Sequence, residues 1–328
     1  VISDDAGGAF VIHNMMHCEA HCAGNDTELR VQHVTAEGGL VPGWPEEGLS
    51  IGSGLDRTTP IFLLREPLSI SNGHGSAIIT WSRRQSYERG FSPIELCVQR
   101  VDGNGAMPWG FGGVVIHSFA SRRYDQAVAP DGSGGAYVFW LDDRSPGLYA
   151  QHIEEDGKLS WTADGIPIAT SPSTFVGLPV AISDGERGVI VAWAGTSGSR
   201  AGVFAARVTP GGARPWLVDR AVFGAGSLNI DGLRMVPTPS GGAILAWRTS
   251  RPVDDDRILA QQIDREGRRR WRESRDVGLR GLGQARPPRD GLRPSRRSVS
   301  RVARQPPGIR DLRDASRGIR RAGPRVGK

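Results

Sequence analysis

Pro130-Asp131-Gly132-Ser133-Gly134-Gly135-Ala136-Tyr137-Val138-Phe139-Trp140 is the stretch on which the fold turns. Its first half is a tight turn: Asp bonds its own backbone and the glycines supply positive φ. Its second half is apolar at odd and even positions alike, so a strand there needs cover on both faces. The same order returns in Gly188-Val189-Ile190-Val191-Ala192-Trp193, Gly241-Gly242-Ala243-Ile244-Leu245-Ala246-Trp247 and Gly75-Ser76-Ala77-Ile78-Ile79-Thr80-Trp81. A further copy, Gly7-Gly8-Ala9-Phe10-Val11-Ile12, places His13 where the others have Trp.

Each copy is followed by a strand pattern, a turn and a second Trp. The strands read Val31-Gln32-His33-Val34, Val98-Gln99-Arg100-Val101, Ala150-Gln151-His152-Ile153, Ala205-Ala206-Arg207-Val208 and Ala260-Gln261-Gln262-Ile263, and lead to Trp44, Trp109, Trp161, Trp216 and Trp271. Successive second Trp residues lie 65, 52, 55 and 55 positions apart. A period near 50 residues filled with short strands belongs to propeller blades rather than helical solenoids. The third copy shows four strands per unit, the last around Gly165-Ile166-Pro167-Ile168-Ala169, where Pro167 demands an edge because it cannot donate to a ladder.

The expected fold is therefore all-β, a β-propeller of four-stranded antiparallel blades with five units in view. The units span 1–54, 55–119, 120–172, 173–226 and 227–273, and residues 274–328 form a separate tail. Trp81, Trp140, Trp193 and Trp247 fall at one place in successive blades, as do Trp44, Trp109, Trp161, Trp216 and Trp271. Large aromatics at such places pack between elements, so all nine are read as structural, and the Gln residues as satisfied scaffold amides. Five units are read as part of a six- to eight-bladed ring, within the usual range of about four to eight.

Asp131-Gly132-Ser133-Gly134-Gly135-Ala136 to Trp140, with Ala150-Gln151-His152-Ile153-Glu154-Glu155-Asp156-Gly157 to Trp161, resembles the tryptophan-docked propellers and, more closely, the Trp-rich repeats of exported bacterial proteins. The resemblance covers residues 1 to about 271. It implies a propeller at the cell surface or outside the cell, with no common activity. The sialidase-type box S-x-D-x-G-x-x-W is absent, since Ser183-Asp184-Gly185 has no Trp at the required offset.

Residues 274–328 hold 15 Arg and one Lys against 4 Asp, a net of +12 within a chain of +6, which leaves −6 on residues 1–273. A segment so rich in Arg, Pro and Gly and so poor in large apolar groups cannot offset its ordering entropy. It reads as disordered, or as an out-of-frame extension of the coding sequence. A nucleic-acid arm is disfavoured because no aromatics interleave the charges. Val1 is no start residue, and Val1-Ile2-Ser3-Asp4-Asp5 matches the end of a first strand, so the chain is expected to open inside a blade, where a signal peptide would not be seen. No stretch reaches the ~20 apolar residues of a membrane span.

One segment has metal-like spacing: His17, Cys18, His21 and Cys22, with Asp26 shortly after. Four N/S donors suit Zn²⁺. In an exported protein a Cys18–Cys22 disulfide is the simpler reading, and free thiols are the third. Asp142-Asp143 and Asp254-Asp255-Asp256 sit in corresponding loops, where carboxylates could hold Ca²⁺ or simply be solvated. Cys97 lies in a strand as a small hydrophobe. No cofactor is otherwise implied, and catalytic residues are not legible. The expected function is a non-enzymatic extracellular or cell-surface scaffold presenting loops to a protein or glycan. The alternative is a propeller-fold hydrolase or lyase acting on a carbohydrate, which would show itself as an asymmetric cluster of acids and His.

Overall fold

The computed structural model describes residues 1–17, 26–52, 61–63, 67–87, 90–91, 93–119, 125–142, 147–170, 173–175, 177–197, 200–216, 221–224, 229–250, 257–272 and 275–276. Val1–Leu282 forms one compact unit, and the second unit, Gly283–Lys328, lies outside the described residues. Every regular element among the described residues is a strand. The chain is an antiparallel β-propeller of five blades in view, each an up-and-down meander of four strands numbered from the inside outwards.

Blade 1 runs Ile2–Ser3, Ala9–His17, Asp26–Val34 and Leu49–Gly52, and blade 2 Leu68–Ser71, Ser76–Tyr87, Ile94–Asp102 and Val114–Phe119. Blade 3 runs Gln126–Pro130, Ala136–Asp142, Gly147–Ile153 and Ile166–Thr170. Blade 4 runs Val180–Ser183, Val189–Ser197, Arg200–Val208 and Ala221–Gly224, and blade 5 Asn229–Pro237, Ala243–Ser250, Arg257–Ile263 and Arg275–Asp276. The fifth blade thus takes its outer strand from the segment expected to belong to the basic tail. Short extra strands, Ile61–Leu63 and Gly90–Phe91 on blade 2 and Ser173–Phe175 on blade 4, lengthen the far ends of the second strands.

The inner strands of consecutive blades lie side by side, from blade 1 through blade 5. The second strand of each blade sits between two neighbours, and its residues serve them alternately. In blade 3 all seven residues of Ala136–Asp142 are buried. Val138 and Trp140 pack with Ile78, Leu96 and Val98 of blade 2, while Tyr137, Phe139 and Leu141 pack with Val189, Val191 and Trp193 of blade 4. Strand alternation therefore becomes an alternation between two interfaces, which is why the sequence is apolar at every position.

The first Trp set occupies these interfaces: Trp81, Trp140, Trp193 and Trp247 are at most 2% exposed. A side chain in place of Gly52 would meet the Trp81 ring at 3.2 Å, so the neighbouring outer strand is bare where the indole lies on it. The Nε1 atoms of Trp81, Trp140 and Trp247 have no hydrogen-bond partner among the described residues, so these rings act through packing alone. The Gln residues close their own blades. Gln151 Nε2 donates to the Thr162 carbonyl at 2.7 Å while its Oε1 accepts from the backbone N–H of His152 and Trp161. Gln32, Gln99 and Gln261 donate in the same way to the carbonyls of Pro45, Gly110 and Trp271. Pro167 stands on an outer strand beside a register shift, where no donor is required.

Candidate functional site

The meander sorts the connections by end. First-to-second and third-to-fourth turns emerge at one end of the blades; second-to-third loops and the segments joining one blade to the next emerge at the other.

At the first end the chemistry repeats. The residue closing each inner strand accepts hydrogen bonds from the turn that follows: Asp4 from the N–H of Ala6 and Gly8, Asn72 from His74 and Ser76, Asp131 from Ser133 and Gly135, and Asp184 from Glu186 and Gly188. Thr238 accepts from Gly242 in blade 5. The third strand then brings a cationic or imidazole side chain to the carboxylate. His33 Nε2 lies 3.0 Å from Asp4 Oδ2, His152 Nε2 3.0 Å from Asp131 Oδ2, and Arg207 Nε donates to Asp184 at 2.7 Å. Burial pushes the Asp131 carboxyl up, but the His152 contact and the bonds from Ser133 and Gly135 outweigh it and bring the group down to about 2. The His33 contact and the Ala6 N–H hold Asp4 below its ordinary value too.

Other contacts at this end stitch blade to blade. Tyr137 donates its hydroxyl proton to the Arg187 carbonyl at 2.6 Å, Arg100 reaches Glu155 at 3.5 Å, and Arg265 pairs with Glu186. Saturated, repeated networks of this kind hold a scaffold together and leave little for a substrate.

At the second end the ionisable groups break the repeat. The position two residues beyond the first Trp is Met15, Arg83, Asp142, Gly195 and Thr249 in successive blades. Arg83, 4% exposed, donates from Nε to Glu95 Oε2 at 2.8 Å, and its Nη1 is buried without a hydrogen-bond partner among the described residues. Two residues along the third strand from Glu95, Cys97 is fully buried, which pushes its thiol up to about 12 despite the Arg83 charge. Asp142 meets His117 from the outer strand of blade 2, with Nε2 to Oδ2 at 3.1 Å, and the other ring nitrogen stands 3.6 Å from exposed Asp164. The imidazole stacks on Trp140 at 5.2 Å and 22°. Its counterparts facing the next blade's Trp are Gly52, Ala169 and Phe223, so among the described residues blade 2 alone places an ionisable group there. Two more carboxylates enter at this end from inner strands: Asp125, just before Gln126–Pro130, and exposed Asp231 within Asn229–Pro237.

Of the residues singled out from sequence, His17 ends the second strand of blade 1, whereas Cys18, His21, Cys22, Asp143 and Asp254 to Asp256 lie outside the described residues. Asp142 is engaged by His117 rather than standing in a solvated loop. No group of three or more metal-ligating side chains occurs among the described residues. His117, Arg83, Asp125 and Asp231 escaped the sequence reading because none of them belongs to the motif that returns from blade to blade. Aligning the five outer strands would have exposed His117.

No protein-family model matches the chain, and no curated protein matches it. Among solved structures it is similar to the polysaccharide lyase Uly1, with TM-score 0.44 and 12% identity over 78% of this chain and 56% of that one. It is also similar to xylan β-1,4-xylosidase from Bacillus halodurans C-125, with TM-score 0.38 and 14% identity over 84% of this chain and 54% of the other. Endo-1,5-α-L-arabinanase from Thermotoga petrophila RKU-1 aligns with TM-score 0.32 and 13% identity over 82% of this chain and 73% of that protein. The chain thus spans just over half the length of the lyase and of the xylosidase. At these identities the likeness is one of fold. The neighbours are enzymes named for carbohydrates, and on that finding the expectation of a non-enzymatic scaffold is corrected. Among the described residues no helix is long and apolar enough to cross a membrane.

Proposed function

We propose that the chain is the propeller of a carbohydrate-active enzyme, a hydrolase or a lyase, with its chemistry at the end where the blades differ. The observation that carries this reading is the contrast between the two ends. One repeats the same satisfied turn in blade after blade; the other gathers the His117–Asp142 pair and the Arg83–Glu95 pair, each found in one place only among the described residues, and the inner-strand carboxylates Asp125 and Asp231, which share one register position in blades 3 and 5 where blade 4 has Leu178. A binding frame has no need of such asymmetry, whereas acid–base chemistry on a sugar needs titratable groups in unlike settings.

In this arrangement the reacting groups are the carboxylates that enter this end from the inner strands, Asp125 and Asp231, which a polymer laid across that end would meet. Asp142 and His117 are covered, at 8% and 4% exposure, and act as positioning residues behind them. Arg83, with Glu95 taking one of its donors, supplies fixed positive charge for an acidic sugar. The Trp-rich repeat adds the expectation that the enzyme works outside the cell or at its surface.

The full chain, incubated with neutral and uronate-containing polysaccharides, is expected to release reducing ends, and in the lyase case an ultraviolet-absorbing unsaturated sugar as well. Asp125→Asn or Asp231→Asn is expected to abolish release while circular dichroism stays unchanged. Lack of turnover on every polymer, or full activity in both variants, would overturn the proposal.

A further inference from the structure

Asp125 and Asp231 frame a third residue at the same level. Gln126 pairs with Trp140, Val180 with Ala192 and Asp231 with Arg248, so Asp125, Leu178 and Asp231 each fall opposite the residue that follows the first Trp of their blade. In blade 3 the Leu141 N–H donates to the Asp125 carbonyl at 3.0 Å, which holds that level. The inner strands of blades 3, 4 and 5 lie side by side in that order. Blade 4 therefore sets Leu178 between the two carboxylates.

Leu178 is 53% exposed, while the residue after it, Pro179, is buried. Proline confines the residue before it to extended backbone, so Leu178 continues the line of the strand Val180–Ser183 and keeps its place at this level. Asp231 is exposed and Asp125 half-buried. The fold thus accepts a carboxylate here in blade 3 and again in blade 5, so packing does not demand an apolar residue in blade 4.

An isobutyl group half in water between two carboxylates offers a surface that takes C–H groups and satisfies no hydroxyl. A pyranose can match it. With every hydroxyl equatorial, the faces of the ring present C–H groups, whereas an axial hydroxyl points out of one face. Such a hydroxyl, pressed onto Leu178, would lose its water and gain no partner.

We infer that Leu178 is a specificity-determining residue of this site: the C–H face of one sugar ring rests on it, with Asp125 to one side and Asp231 to the other. The site thereby selects rings whose hydroxyls are equatorial, gluco- or xylo-configured, neutral or uronate, over manno-configured rings. This rests on the reading that a carbohydrate polymer lies across this end.

Calorimetric titration of the full chain with cellohexaose, xylohexaose and mannohexaose tests it. Cellohexaose and mannohexaose share one linkage and differ in the hydroxyl at C2, equatorial in the first and axial in the second. The wild type is expected to bind cellohexaose and xylohexaose about tenfold more tightly than mannohexaose, and Leu178→Ala to weaken the first two about tenfold while leaving mannohexaose nearly unchanged. Leu178→Met, which restores an apolar surface, is expected to restore the preference. Melting curves report that both variants are folded. No binding of any of the three by the wild type, or a preference that survives in Leu178→Ala, would overturn the inference. Release of reducing ends from polymers is scored separately. Release by the wild type together with a preference indifferent to Leu178 sinks the platform and leaves the enzyme; a preference that depends on Leu178 with no release from any polymer sinks the enzyme and leaves the platform.

Discussion

Trp109 donates from Nε1 to the Glu155 carbonyl at 2.9 Å in the third-to-fourth turn of the next blade, with Gly157 under its ring. Replacing Gly157 by Ala tests this lock more sharply than removing the indole, because the same turn in blade 1, closed by Gly38 N–H to the Thr35 carbonyl at 3.0 Å, has no described residue above its glycine. Gly157 sits at φ +85°, and so does Gly38. A non-glycine residue in that conformation costs about 1 to 2 kcal/mol, and both substitutions carry that cost. They differ in what the new methyl group meets. At 157 it would stand 2.7 Å from Cδ1 and 3.0 Å from Cγ of Trp109, well inside contact distance. The ring must move, at an overpacking cost of about 1 to 3 kcal/mol. That movement also strains the Nε1 bond to the Glu155 carbonyl, worth about 1 kcal/mol. At 38 it meets none of the described residues within 4 Å. Urea unfolding followed by Trp fluorescence should place Gly157→Ala about 2 to 3 kcal/mol below Gly38→Ala in stability. The two variants falling within about 0.5 kcal/mol of each other, the usual scatter of an indifferent surface change, would refute the claim that turn glycines and indoles form the joints between blades.

Three further outcomes follow from the same geometry. Asp131 is held at about 2 in the folded chain against an ordinary 3.8, so its contribution is fully present above the unfolded value and is lost as pH falls through the folded one; Asp131→Asn should flatten the acid limb of the stability curve between about pH 4 and pH 2. Cys97, fully buried with its thiol pushed up to about 12, should resist alkylation in the native state at pH values near neutrality and react only after unfolding, read by mass spectrometry of its peptide. Gln151→Leu strands the Thr162 carbonyl and the His152 and Trp161 N–H groups, and should cost about 1 to 3 kcal/mol in the same urea assay, with the loss concentrated in blade 3.

The blades were legible because their signal is redundant. Turn glycines, a strand apolar at nearly every position and an indole at its end say the same thing four times, with a fifth copy in which His13 takes the indole's place, and the both-faces-buried pattern of Ala136–Asp142 has one physical solution, a sheet between two sheets. The role of the second Trp set in full was not legible, since the acceptor of the Trp109 N–H is a backbone carbonyl of no particular residue type 46 positions away. The candidate site was nearly invisible for the opposite reason. His117 and Asp142 come from different blades, 25 positions apart, and each departs from the repeat at a place where its counterparts in other blades also vary. The segment that did attract notice, His17 to Cys22, drew it through local residue density, which speaks to ligand chemistry and not to where a propeller gathers its working groups.

Because each Trp Nε1 bond from the second Trp set joins a blade only to its immediate neighbour, and no longer-range staple occurs among the described residues, the mechanical behaviour of the fold should be that of a zip. A pull applied at the two ends would free one blade at a time, each releasing a segment of about 55 residues. At roughly 3.5 Å per extended residue that is a step of about 190 Å. The same modular joinery makes gain or loss of a whole blade by tandem duplication a small structural event, while gain or loss of half a blade would leave an indole with no glycine to rest on.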